Sequence, residues 1–253
     1  MACSMTQLLV SVRNVDEAVA AVEGGADIID VKEPHSGSLG CATPGMILEI
    51  GHAVGRMQGR KPPLSLALGE LHEWQSGDLT LLRHAIQEIA PQFLKLGLAA
   101  TCMVPDSASW VAQWRQVRTA IPGSHQWVAV AYADHEQAGS PGVERVLQAA
   151  VEESCHILLI DTHTKQGKSL LDEMSLEALQ AIRRKTQEHG LKLALAGSLA
   201  KSNLPLLLRI QPDIIAVRGA VCASGDRIGT VSKTLVQEFR FAINQARPSH
   251  RSV

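Results

Sequence analysis

Two aspartates and two lysines fall inside or at the ends of apolar runs, where a soluble chain rarely tolerates charge, and a third lysine follows shortly after one of them. Asp30 and Lys32 close the run Ile28-Ile29-Asp30-Val31-Lys32, and Lys95 sits in the middle of Phe93-Leu94-Lys95-Leu96-Gly97. Leu159-Ile160-Asp161 is followed four residues later by Lys165. A side-chain period of two puts Asp30 and Lys32 on the same face of an extended segment. Burial and a neighbouring cation both disfavour an ammonium, so lysines gathered in one enclosed place lose their protons more readily. A neutral lysine attacks a carbonyl to give a Schiff base, and a second lysine can then move protons while carboxylates hold the geometry. The competing reading is a set of interior ion pairs, which explains any one of these residues equally well. Three lysines together at run ends favour chemistry, because an unproductive buried charge is costly.

A second set of residues suits an anion. Ala196-Gly197-Ser198-Leu199 and Val217-Arg218-Gly219-Ala220 both end apolar runs in glycine-containing turns. Glycine lets backbone N–H groups approach phosphate oxygens closely. Ser198 would add a hydroxyl donor, and Arg218 or Arg227 a charge-assisted contact. Tight turns that need glycine for backbone reasons alone are the plainer account. The polar stretch from Glu33 to Gly40 follows Lys32 directly and reads either as a lid over substrate or as a surface turn. Tyr132 and Asp134 are further candidates, Tyr132 equally suited to packing, and His163 reads as an exposed loop residue. The ten histidines are dispersed with no H-E-x-x-H, so no metal site is expected. There is no G-x-S-x-G nucleophile turn.

Eight short runs rich in Val, Ile and Leu must position these groups: 7–12, 28–32, 64–69, 93–97, 127–132, 156–161, 193–198 and 214–219. Apolar character on both faces is what parallel strands covered on both sides require. Helix-like stretches lie between them at 15–25, 79–90, 142–154, 175–190 and 230–246, with Asp78 and Ser175 as N-caps and Gly190 as a terminator. Eight strand–helix units in 253 residues predict a closed (β/α)8 barrel of the TIM type, with catalytic groups at the C-terminal strand ends and a phosphate site after strands seven and eight. An open doubly wound sheet is the alternative, but it would carry a glycine-rich first turn, and this chain has Ser11-Val12-Arg13-Asn14 there. We read residues 1–246 as a single barrel domain and 247–253 as a disordered tail. Trp110 and Trp114, one helical turn apart, would pack on the barrel or at a subunit contact, and a homo-oligomer is expected.

The 24 Lys and Arg against 25 Asp and Glu leave a formal charge of −1, which argues against electrostatic capture of nucleic acid or of an anionic membrane. Aromatic residues are only 3% of the chain, too few for base-stacking platforms. No apolar run reaches the roughly 20 residues needed to cross a bilayer, and the N-terminus lacks the pattern of a signal peptide. The five scattered cysteines have no C-x-x-C and read as free thiols, which with the rest points to the cytoplasm.

The segments LLVSVRNVDEAVAAVEGGADIIDVKEPHSGSLG, FLKLGL, AYAD, LLIDTHTKQGKSLLD, LALAGSL and DIIAVRGAVC with the following GDR resemble, in order and over roughly residues 8–237, the (5-formylfuran-3-yl)methyl phosphate synthase family. The resemblance implies a TIM barrel that condenses two molecules of glyceraldehyde 3-phosphate to a phosphorylated furan aldehyde, releasing phosphate and water, in methanofuran biosynthesis. It implies that Lys32 in the D-V-K motif is the Schiff-base lysine and Lys95 in the K-x-G motif the proton acceptor. Asp30, Asp161 and Lys165 fall on further active-site positions of the pattern. Such chemistry needs no metal or organic cofactor, since a protonated imine is its own electron sink. A class I aldolase or triose-phosphate isomerase-like enzyme, and a non-catalytic barrel that binds a phosphosugar, are the alternatives.

Overall fold

The computed structural model describes residues 5–75, 79–102, 110–164 and 167–246. The expected cap Asp78, the candidate Lys165 and the tail 247–253 lie outside the described residues. Eight parallel strands close into a barrel in sequence order: β1 (Gln7–Val12), β2 (Ile28–Val31), β3 (Leu64–Glu70), β4 (Phe93–Gly97), β5 (Gln126–Tyr132), β6 (Ile157–Asp161), β7 (Lys192–Leu195) and β8 (Ile214–Val217). The ring is sealed by β8 against β1, with Gln7 opposite Ile214 and Val10 opposite Val217. Closure removes every sheet edge and excludes the open-sheet alternative.

Helices α1 (Val15–Glu23), α2 (Pro44–Arg56), α3 (Thr80–Ile89), α4 (Trp110–Ala120), α5 (His135–Ala138), α6 (Val143–Glu152), α7 (Leu170–Glu173), α8 (Leu176–Glu188), α9 (Leu204–Ile210) and α10 (Lys233–Gln245) follow the strands. Local chemistry sets their ends. Asn14 accepts from the Glu17 N–H at the start of α1, and Ser175 accepts from the Ala178 N–H at the start of α8. The signal Thr43-Pro44 begins α2, with the threonine hydroxyl accepting from the Met46 N–H. Among the described residues no helix is long and apolar enough to cross a membrane.

Alternation along each strand divides the core in two. Outward residues such as Ile29, Val31, Leu94, Leu96, Leu158, Ile160 and Ile215 pack under the helices, as do Trp110 and Trp114. Inward residues form a separate cluster inside the barrel. Its floor is a layer of large side chains from alternate strands, Ile28, Phe93, Ile157 and Ile214. Above the floor the wall is uneven, with Val130 and Tyr132 filling the β5 side and Ala194, Ala196 and Ala216 leaving the β7–β8 side hollow. The small residues decide where a ligand has room.

Candidate active site

Following the inward positions two layers further up the even strands gives Asp30 on β2 and Lys95 on β4 in the first, then Lys32 just past β2, Asp161 at the end of β6 and Arg218 just past β8 in the second. Four of the five catalytic candidates are therefore at the C-terminal mouth, on the inside, in the same two layers. Lys32, Lys95 and Asp161 line one cavity of about 410 Å3, within the range of ordinary small-molecule sites. Lys32 is only 9% exposed and Lys95 only 4%, so neither amine points into bulk solvent.

The ammonium nitrogen of Lys95 lies 2.7 Å from Asp30 Oδ1. That contact is an ion pair by distance, with an angle outside hydrogen-bond geometry. Asp30 has no exposure, and its Oδ2 accepts a 2.8 Å bond from the Ser11 hydroxyl. Lys32 Nζ donates to the Ser38 carbonyl at 3.2 Å. Ser38 Oγ stands 3.0 Å from both Asp161 Oδ2 and the Thr162 carbonyl, and its single proton can serve one of them at a time. Ser38 thus touches both the Lys32 amine and the Asp161 carboxylate.

The 33–40 stretch is neither a loose lid nor a surface turn. Its second half is wall: Ser38 and Leu39 are each 1% exposed, and Leu39 belongs to the barrel interior. The Leu39 carbonyl accepts from the Gly69 N–H at 2.8 Å, and the Gly40 carbonyl accepts from the Glu33 N–H at 2.9 Å, closing the loop on itself. Only the tip is exposed, and Arg227 donates to the Gly37 carbonyl there at 2.8 Å.

The opposite wall of the cavity is made by Gly197, Ser198, Gly219, Ala220 and Arg227. Gly197 and Ser198 both have positive φ, of 99° and 49°. A Cβ at Gly197 would lie 3.0 Å from the Thr162 side chain, so glycine is required by close approach as well as by dihedral. Among the described residues no acceptor meets the N–H groups of Gly197, Ser198, Gly219 or Ala220. These donors surround a hollow of matching size.

Arg218 is a correction to the sequence reading. Its Nε donates to the Arg227 carbonyl, one terminal nitrogen to the Ser11 carbonyl and Glu17 Oε2, and the other to Glu17 Oε1 and the Gly229 carbonyl. A guanidinium has five N–H groups, so none is left for phosphate. The Arg218 side chain braces the β8 turn against the wholly buried Glu17 of α1. Both arginines line the cavity, and Arg227 is the one with donors to give, its one hydrogen-bond acceptor among the described residues being the Gly37 carbonyl.

The other candidates stand behind the site. Asp134 accepts from the N–H groups of His163 at 2.7 Å and Thr164 at 2.8 Å, fixing the start of the turn after β6. Burial alone would raise this carboxyl, but those amides and the Thr164 hydroxyl hold it below the usual carboxylate range. Tyr132 is wholly buried and donates to Glu70 Oε1 at 2.6 Å, while Glu70 Oε2 accepts from the Ala99 N–H. Burial pushes the Tyr132 phenol well above its ordinary value, with the Glu70 charge adding to the effect. Burial likewise raises the Glu70 carboxyl, against the pull of its two hydrogen bonds. His163 is half-buried with its ring edge-on to Tyr132, centroids 5.1 Å apart. Sequence reasoning missed Ser11, Ser38 and Glu70. Only Glu70, a charge ending the run Leu64-Ser65-Leu66-Ala67-Leu68-Gly69-Glu70, carried a signal of the kind that revealed Lys32.

The family model of 4-HFC-P synthase matches residues 8–240. A Methanococcus maripaludis protein named (5-formylfuran-3-yl)methyl phosphate synthase is 37% identical over 232 residues, covering 91% of this chain and 96% of that one. A protein of the same name from Methanopyrus kandleri is 34% identical, covering 94% and 98%. Among solved structures, phosphoribosyl anthranilate isomerase in complex with reduced 1-(o-carboxyphenylamino)-1-deoxyribulose 5-phosphate superposes with a TM-score of 0.61 at 14% identity, covering 95% of this chain and all of that one. The 3-hexulose-6-phosphate synthase of Salmonella typhimurium gives 0.58 at 16% identity, covering 96% and all. At such identities these two likenesses speak for the barrel fold alone.

Proposed function

This chain belongs to the 4-HFC-P synthase family, and from that premise we propose that it condenses two molecules of glyceraldehyde 3-phosphate to (5-formylfuran-3-yl)methyl phosphate, releasing phosphate and water, as a lyase acting through a lysine Schiff base. The product would serve the biosynthesis of a methanofuran-type one-carbon cofactor in the cytoplasm. The observation that carries the reading is that Lys32, Lys95 and Asp161 share one cavity with a wall of backbone N–H groups that meet no acceptor among the described residues.

Unprotonated Lys32 attacks the carbonyl carbon of one triose phosphate, and loss of water gives the imine. Its protonated form draws electrons from the neighbouring carbon, so a base there removes a proton and leaves a nucleophilic enamine. Lys95, held beside Asp30, is the proton acceptor, and it returns the proton to an oxygen as water or phosphate departs. The enamine carbon bonds to the aldehyde carbon of the second triose, one phosphate and water are eliminated, and attack of a hydroxyl of the second triose on the imine carbon closes the ring, expels Lys32 as the free amine and yields the furan. Asp161, which accepts from the Ser38 hydroxyl, serves as the second acid–base group. The N–H groups of Gly197, Ser198, Gly219 and Ala220, with the Arg227 guanidinium, hold phosphate oxygens. Lys165 takes its place in this reading from the family motif alone.

Borohydride reduction during turnover of glyceraldehyde 3-phosphate, followed by peptide mass spectrometry, tests the reading. One substrate-derived mass on the peptide containing Lys32, with furan absorbance and free phosphate in the unreduced reaction, is expected. A reversible product with both phosphates retained would instead identify an aldolase, and no covalent mass would identify a binder.

A further inference from the structure

Asp30 is wholly buried, and Lys95 reaches its Oδ1 at 2.7 Å without hydrogen-bond alignment. Among the described residues, the one hydrogen bond to this carboxylate comes from Ser11, whose hydroxyl donates to Oδ2 at 2.8 Å. Ser11 lies directly opposite Asp30 in the β1–β2 register, is 4% exposed and lines the cavity. Its own backbone is held in turn, because the Ser11 carbonyl accepts from Arg218 at 2.9 Å and Arg218 is fixed by Glu17. A line of contacts thus runs from the brace under the phosphate turn through Ser11 to Asp30 and on to Lys95.

A carboxylate with an unaligned cation on one oxygen can rotate about its terminal torsion, which is a broad and soft one. A directional bond to the other oxygen fixes its plane. We infer that Ser11 is a positioning residue for the reaction proposed above: it sets the plane of the Asp30 carboxylate and thereby the place of the Lys95 amine. The inference rests on that reading, and it assigns Ser11 no contact with the reacting atoms. Misplacement of an acid–base group by a fraction of an ångström costs rate and leaves binding intact. The phosphate donors after β7 and β8 and the Lys32 amine just past β2 are held by other bonds.

The test compares Ser11→Ala and Ser11→Thr with the wild-type chain in steady-state turnover, borohydride trapping and thermal unfolding. Ser11→Ala is expected to lower kcat roughly 10- to 100-fold, to keep KM within about twofold, and to trap substrate on Lys32 as fully as wild type. Ser11→Thr, which keeps the hydroxyl, is expected to recover most of kcat. Wild-type kcat in Ser11→Ala overturns the inference. So does a proportional rise in KM, a loss of Lys32 trapping confined to the variant, or a drop in kcat no larger than a drop in folded fraction. Where Ser11→Thr unfolds, the kcat–KM split in the alanine variant decides alone. Absence of a Lys32 adduct in the wild type sinks the proposed reaction itself, a result that the variants cannot imitate.

Discussion

At the floor of the barrel Asp27 accepts from the Leu8 N–H and faces Arg60 at 2.6 Å and Arg240 at 2.8 Å. Asp213 does the same one strand past β7, accepting from the Leu193 N–H and pairing with Arg183 at 2.5 Å. At the mouth, Asp30 and Asp161 meet serine hydroxyls, with lysine amines close by. The sequences are nearly the same: Asp27-Ile28-Ile29-Asp30-Val31-Lys32 and Asp213-Ile214-Ile215-Ala216-Val217-Arg218. Arginine cannot give up its proton and offers five donors in a fixed fork, so arginine partners lock a strand in place. Lysine offers one movable nitrogen that can become a nucleophile or a base. Even the last residues of the two segments divide this way: both line the cavity, but Lys32 brings a movable amine while the Arg218 guanidinium is clamped to Glu17.

Lys32→Ala should widen the contrast most. Loss of turnover by about four orders of magnitude or more is expected, with a thermal midpoint close to wild type. A midpoint fall as large as that of a floor variant would break the comparison. Next, Asp27→Ala leaves the Leu8 N–H without its acceptor and takes the carboxylate from two guanidinium groups, of which Arg240 keeps the Thr6 carbonyl. It should cost about 3 kcal/mol, or roughly 6–12 °C of thermal midpoint in a chain of this size, with kcat at 25 °C unchanged. Calorimetry beside steady-state kinetics reads both.

Arg227→Ala sharpens the division between the two arginines. It removes one charge-assisted contact to phosphate, so KM should rise roughly tenfold or somewhat more while the thermal midpoint stays put. Arg218→Ala should move the midpoint instead. The smallest effect belongs to Glu70→Gln. Because burial raises the Glu70 carboxyl above its ordinary 4.5, the folded state binds this proton more tightly than the unfolded state. That contribution to stability is full below pH 4.5 and is lost as pH rises through the raised folded value. The glutamine variant should therefore lose stability less steeply than wild type from pH 4.5 upward, measured as thermal midpoint against pH.

Much of this molecule was legible along the chain. The expected runs at 7–12, 93–97 and 127–132 match β1, β4 and β5 to within one residue. The runs at 193–198 and 214–219 overshoot β7 and β8, because their glycines and Ser198 have already left the sheet. Alternation placed Asp30, Lys32, Lys95 and Asp161 inside, since two residues per repeat is a property of any extended backbone. The serines were invisible: Ser11 within Val10-Ser11-Val12 and Ser38 within a polar loop look like any strand or turn serine until their partners are known. Glu70 and Tyr132, 62 positions apart, look unrelated until they share a proton.

Residue order alone therefore determined the eight repeats, their inward faces and the glycine turns, because backbone period and backbone conformation are local. Tertiary structure alone decided which arginine is spent on a brace and which keeps donors for the cavity, why the 33–40 stretch is wall, and which hydroxyl sets which carboxylate. Those choices depend on hydrogen bonds between groups 123, 190 and 201 residues apart, Ser38 to Asp161, Arg227 to Gly37 and Arg218 to Glu17. Directional bonds of this kind exist only after the strand ring has closed.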